Sequence, residues 1–241
     1  MRDYKEELEG RVEFIRGILR DSGADGIVYG NSGGKDSALV GALCKAACDN
    51  TVGIIMPCSS KRNFGLDRDD GLTVAKHFAI ETRELDLSPV KEAMAGALSG
   101  VTELSAMGSA NINPRLRMTA LYAVAASENR LVAGTGNRSE AYLGYFTKWG
   151  DGAHDFNPIA DLTVTEIYEF LRYLGCPSCV IDKAPSAGLF DGQTDEGETG
   201  VGYAELDRYL LTGEGSEELV EKVERLHGAS EHKRSAVPTY R

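Results

Sequence analysis

The residues of this chain best suited to chemistry lie in a short loop, Ser32-Gly33-Gly34-Lys35-Asp36-Ser37, and in a later block, Gly134-Thr135-Gly136-Asn137-Arg138-Ser139-Glu140. Paired glycines let a ligand approach the backbone closely, and a helix opening just after them presents unsatisfied N–H groups and a partial positive charge. Ser32 and Ser37 add hydroxyl donors, so the loop reads as an anion site. It is not a Walker A loop: Tyr29 stands where the first glycine belongs, and Asp36 follows Lys35. A carboxylate at the mouth of an anion site repels phosphate unless a cation lies between them, which makes Asp36 a candidate Mg2+ ligand. The plainer alternative is a strand-to-helix turn with an aspartate at the helix start. Glu140 has a plain alternative too, a carboxylate favoured by a helix dipole.

Elements at the right places must position these groups. An apolar run, Gly26-Ile27-Val28-Tyr29, precedes the glycine loop, and a small-residue helix over 36–47 follows it. Further strands are expected at 52–56, near 82–87 and at 131–133. Leu8, Val12, Ile15 and Leu19 recur at helical spacing in a first helix closed by Gly23. Other helices are expected near 70–78, from Ser88-Pro89 onward, from Asn113-Pro114 through Ala126, and near 203–211 and 217–226. Strands separated by helices imply an α/β fold with an open, doubly wound, mostly parallel sheet and helices on both faces. Ligands gather at the carboxyl ends of such strands, where 30–37, 57–68 and 134–140 should emerge. Residues 142–161 show no periodicity, and 188–200 are rich in Gly, Asp, Glu and Thr; loops this long are usually functional or mobile. With no repeat and no linker, residues 1–241 read as a single domain.

Composition narrows the function. A net charge of −11 argues against a general grip on nucleic acid or an anionic membrane. No apolar run approaches the roughly 20 residues of a membrane helix, and the charged start, Met1-Arg2-Asp3-Tyr4-Lys5-Glu6-Glu7, lacks a signal-peptide core. Five cysteines without a framework suit a reducing compartment, so a cytoplasmic protein is expected. Cys176-Pro177-Ser178-Cys179 has redox or zinc spacing but no second pair or histidine near it.

Ser-Gly-Gly-x-Asp-Ser after a first strand resembles the signature loop of the ATP pyrophosphatases, which split ATP into AMP and pyrophosphate. The loop alone does not choose among NAD synthetase, GMP synthetase, asparagine synthetase and tRNA-thiolating enzymes. The block from Gly134 to Glu140 does, together with Gly144-Tyr145-Phe146-Thr147-Lys148-Trp149-Gly150-Asp151-Gly152, Lys183-Ala184-Pro185-Ser186, Arg115-Leu116-Arg117-Met118 and His232-Lys233-Arg234. In order and over essentially the whole chain these resemble ammonia-dependent NAD synthetase, in the short form without a glutaminase domain. Gly134-Thr135-Gly136 could also open a dinucleotide fingerprint, but Ser139 replaces its third glycine.

The resemblance implies an adenine nucleotide alpha hydrolase-like fold and two chemical steps. ATP adenylates the nicotinate carboxylate of deamido-NAD, and ammonia then displaces AMP to give NAD. It implies that Gly30, Asn31, Ser32, Gly33, Gly34, Lys35, Asp36, Ser37, Thr135 and Ser186 hold ATP. Asp36 and Glu140 become the catalytic pair that binds Mg2+, and Arg115, Lys148, Asp155, His232 and Lys233 the deamido-NAD contacts. A homodimer is implied as well; whether a separate amidotransferase supplies ammonia stays open. One departure stands out. The family places a phosphate-contacting lysine where this chain has Val164, so Val164→Lys is expected to leave activity unchanged or raise it. Two other readings remain: a tRNA-thiolating ATP pyrophosphatase, disfavoured by the acidic charge, and a nucleotide-binding sensor without turnover.

Overall fold

Helix α1 (Tyr4–Ser22) begins where the Asp3 carboxylate accepts the Lys5 and Glu6 amides, and it stops at Gly23, whose φ of 68° is left-handed and suits glycine. The computed structural model describes residues 2–58, 64–183 and 195–240. After α1 come β1 (Gly26–Gly30), α2 (Lys35–Ala47), β2 (Thr51–Ile55), α3 (Leu66–His77), β3 (Glu81–Glu84) and α4 (Ser88–Leu98). Next are α5 (Ala106–Ala110), α6 (Ile112–Glu128), β4 (Arg130–Val132), α7 (Arg138–Leu143), α8 (Val164–Tyr173) and α9 (Ser178–Ile181). The chain ends in α10 (Asp195–Thr199), α11 (Tyr203–Thr212), α12 (Glu217–Ala229) and a 3-10 turn at Glu231–Lys233.

The four strands are parallel in the order β3-β2-β1-β4. Val28 on β1 faces Val52 on one side and Val132 on the other, and a bridge from Ala133 to Phe156 prolongs the β4 edge. Successive strand residues point to opposite faces, and the two cores follow that alternation. Ile27 and Tyr29 pack with Leu39 and Leu43 of α2, Ile15 of α1 and Phe170 of α8. Val28, Val52 and Ile54 pack on the other face with Ala125, Leu121 and Leu116 of α6. The sheet is therefore doubly wound, as expected. The chain winds outward from β1 to β3 and then crosses back to β4. That reversal puts a crevice at the carboxyl ends of β1 and β4.

Two differences from the sequence expectation have simple causes. The third strand is shorter, ending at Glu84: Leu85 and Leu87 still donate to the Ile55 and Pro57 carbonyls, but Pro57 has no N–H to donate back and the ladder stops. Helix α8 went unexpected although it carries its own start signal. Thr163 accepts the Glu166 amide while the Glu166 carboxylate accepts the Thr163 amide, and Ile167, Phe170 and Leu171 are buried at helical spacing. Val164 is the first residue of that helix. It is 4% exposed and packs with Leu143, Val201, Tyr203, Leu206 and Val223, so it sits in an apolar cluster and not at a position open to a charge.

An ionic clamp fastens α1 to the start of α8. Arg2 meets Glu166 at 2.7 Å, while Arg11 meets Asp161 at 2.7 Å and Glu7 at 2.7 Å. Burial works to raise the Glu7 and Asp161 carboxyls, but the arginines outweigh it and hold both below their ordinary values. Among the described residues, no helix is long and apolar enough to cross a membrane.

Candidate active site

The crevice at the switch point is a cavity of about 680 Å³ whose lining includes Gly30, Asn31, Ser32, Gly34, Lys35, Asp36 and Ser37 from the glycine loop and Thr135, Gly136 and Glu140 from beyond β4. The loop's shape follows from its own side chains. Asn31 is a buried strut: its Nδ2 donates to Gly71 O at 2.9 Å, and its Oδ1 accepts the Gly33 amide at 3.2 Å. Gly33 has a φ of 71°, and a Cβ there would lie 2.1 Å from Asp67 O, so only glycine fits. Ser37 Oγ donates to Gly34 O at 3.0 Å and accepts the Ser32 amide at 3.3 Å.

At the head of α2, Asp36 uses both carboxylate oxygens. Oδ2 accepts from Lys35 Nζ at 2.8 Å, and Oδ1 accepts from Asn137 Nδ2 at 3.0 Å. Asn137 also caps α7. Its Oδ1 accepts the Glu140 amide at 2.9 Å, and Glu140 Oε2 accepts the Asn137 amide at 3.1 Å. One fully buried asparagine thus ties together two carboxylates more than a hundred residues apart in sequence, Asp36 through its side-chain amide and Glu140 through its backbone N–H. Lys35 is itself buried. Desolvation pushes its ammonium down, but Asp36 and Glu140 more than offset this and hold it above the ordinary lysine range.

Among the described residues no group of three or more His, Cys, Asp or Glu side chains is placed to hold a metal ion. Two carboxylates beside a phosphate loop are nonetheless a donor set that suits Mg2+, which completes its shell with water and phosphate oxygens.

The residues expected to hold the acid substrate do not converge equally. Lys233 lines the cavity, donating to Gly144 O at 2.7 Å and Phe146 O at 2.8 Å. Arg115, Lys148 and His232 form a chain along the rim: Arg115 donates to Lys148 O at 3.2 Å, and Lys148 Nζ donates to His232 O at 2.5 Å. Lys148 also lies over the ring of exposed Trp149. Asp155 stands apart, its Oδ2 accepting the Val132 amide at 2.7 Å and its Oδ1 the Tyr122 hydroxyl at 3.1 Å; these bonds fasten β4 to α6. Ser186 lies outside the described residues.

The family model described as NAD synthase matches residues 7–237. The chain belongs to the NAD synthase family. Among its relatives, the NH(3)-dependent NAD(+) synthetase of Carboxydothermus hydrogenoformans is 48% identical over 235 residues, 96% of each chain. That of Archaeoglobus fulgidus is 40% identical over 245 residues, covering 99% of this chain and 98% of the other. Of solved structures, the NMN synthetase from Francisella tularensis superposes with a TM-score of 0.93 at 36% identity, covering 100% of this chain and 99% of that one. The NH3-dependent NAD synthetase from Campylobacter jejuni, in complex with the nitrate ion, gives 0.81 at 29% identity with full coverage of both.

In this NAD synthase family member, two groups at or beside the cavity, Asn137 and Arg117, carry no role in the sequence reading. Asn137 announces itself only as an Asn three residues before a Glu at a helix start. Arg117 lines the cavity and donates to Met56 O at 3.1 Å, whereas exposed Arg115 does not line it. Residues two apart on a helix point to different sides, so a pair of arginines spaced this way cannot both face one pocket. Burial pushes the Arg117 guanidinium below its usual range. Lys183, a candidate from the sequence to stand in for the lysine that Val164 replaces, lines the cavity and bridges Asp67 and Asp70 at 2.7 Å each, so it ties α3 to the segment after α9.

Proposed function

We propose that the protein is a ligase that adenylates the nicotinate carboxylate of deamido-NAD with ATP, releasing pyrophosphate, and then amidates it with ammonia to give NAD and AMP. The observation that carries this reading is the Asp36–Asn137–Glu140 constellation at the mouth of the glycine loop. Mg2+ held by Asp36 and Glu140 would neutralise charge on the triphosphate. The first backbone amides of α2, which have no intrahelical partner, would cradle the phosphates at the cavity. Lys233 and Arg117 present cations to the acid substrate from the other side of the cavity. Arg115, Lys148 and His232 extend that positive surface over the rim, where the remote part of a dinucleotide would lie. No protein nucleophile is needed. Catalysis consists of holding the carboxylate in line with the α-phosphorus, stabilising the charge that moves to pyrophosphate, and keeping water from the mixed anhydride.

A second reading is favoured by the TM-score of 0.93 to the Francisella NMN synthetase. The same carboxylate chemistry on nicotinate mononucleotide would need the cavity but not the rim. We further take residues 1–241 as one catalytic unit, working as a homodimer in the cytoplasm. Incubation with ATP, Mg2+, ammonium and either acid separates these readings. AMP and amide should form in equal amounts, with the higher kcat/KM on deamido-NAD. Nucleotide binding without AMP from either acid would refute the ligase reading and leave a sensor.

A further inference from the structure

We propose that Lys35 is a built-in counter-ion that keeps Asp36 closed to a free divalent cation and releases it only when a triphosphate offers the ammonium another partner. The inference deepens the proposed function and rests on its assignment of Asp36 and Glu140 as metal ligands.

A lysine is an unfavourable first residue for a helix, because the N-terminal end already carries partial positive charge. Lys35 nevertheless occupies that position in α2 and is 6% exposed. A buried ammonium requires a close anion, and Asp36 Oδ2 supplies it at 2.8 Å, with the Tyr203 ring 5.7 Å away on another side. The second Asp36 oxygen takes the Asn137 amide, so the carboxylate is turned and held by a donor at each end. A bare cation that approaches Asp36 must break the Lys35 pair and leave a desolvated ammonium beside a dication. Both effects oppose binding. A triphosphate in the same cavity removes the penalty, because Lys35 lines that cavity and can turn from carboxylate to phosphate without leaving it. Cation and nucleotide then enter as a set. By linkage, each strengthens the other's binding by the same factor.

Lys35 acts here as a positioning residue, and the test needs no turnover. Mn2+, which shares the oxygen preference of Mg2+, is titrated by electron paramagnetic resonance into the wild type and Lys35→Met, with and without a non-hydrolysable ATP analogue. Without nucleotide, Lys35→Met should bind Mn2+ at least about tenfold more tightly than the wild type. The strengthening that the analogue brings should shrink by a similar factor. Lys35→Gln should behave alike, which guards against a packing artefact of methionine, and adding Asp36→Asn should abolish the gained site. Equal Mn2+ affinity of wild type and both variants without nucleotide overturns the proposal, even where Mn2+ binds normally with the analogue. Absence of Mn2+ binding in every form, analogue present, overturns the metal assignment and the proposal with it.

Discussion

The Glu140 carboxylate closes a helix cap and also lines the cavity, and a cap and a proposed metal ligand can be told apart by substitution. Glu140→Gln keeps an oxygen that can accept the Asn137 amide, and glutamine is a normal partner in such a cap. Its folding cost should be small. Glu140→Ala removes the acceptor and should cost about 1 kcal/mol. In a domain of this size that corresponds to roughly 2–4 °C in Tm. The two variants share the loss of one negative charge at the proposed metal site. Removing a group that stabilises charge in the transition state costs on the order of 10²–10³ in rate, so both should lose AMP and pyrophosphate formation to that extent. The deficit should widen as Mg2+ becomes limiting, because a missing ligand weakens the cation first. Pyrophosphate release across a Mg2+ titration, run beside thermal unfolding of the same samples, makes the measurement. If Glu140→Gln turns over like the wild type at limiting Mg2+, Glu140 is a helix cap and nothing more.

Three further outcomes are expected. Val164→Lys reverses the sequence-based expectation. It removes a buried valine side chain from the cluster of Leu143, Tyr203 and Leu206, a loss of about 1.5–3 kcal/mol, and puts an ammonium there besides; a thermal unfolding midpoint equal to wild type, with activity unchanged or raised, would show that lysine is accommodated. Gly33→Ala demands a left-handed alanine, which costs about 1–2 kcal/mol, and pushes a Cβ against Asp67 O, so calorimetry should find nucleotide binding lost in a protein that still folds. The clamp at α1 makes a pH prediction. Glu7 and Asp161 are held below their ordinary values of 4.5 and 3.8, so their stabilisation is complete above those values and is lost as pH falls through the lower folded ones. Urea midpoints of wild type and Arg11→Met should therefore differ at pH 7, begin to approach each other only below about pH 4, and converge once pH has fallen through the lowered folded values; a gap that persists below those values would mean that Arg11 acts through packing alone.

The fold was legible because its signals are local. The continuous apolar run of Ile27, Val28 and Tyr29, the stop at Gly23 and the proline at the start of α4 each report on neighbours within a turn or two of chain. Helix α8 could have been read in the same way, since Thr163 and Glu166 spell its cap and Ile167, Phe170 and Leu171 its buried stripe. The environment of Val164 could not. A valine at a helix start is silent about whether Tyr203 and Leu206 of a later helix will close over it.

The candidate site divides along the same line. Residue types and short spacings were enough to mark residues 30–37 as a candidate anion loop and Asp36 as a candidate cation ligand, because backbone geometry and like-charge repulsion act over a few ångströms of continuous chain. Only the tertiary structure decided that Asn137 joins Asp36 to Glu140, that Arg117 and not Arg115 faces the cavity, and that Lys35 turns onto Asp36. Those choices depend on where β4 lands beside β1 and on which side of α6 meets the sheet. Both are settled by packing between segments that are distant in sequence.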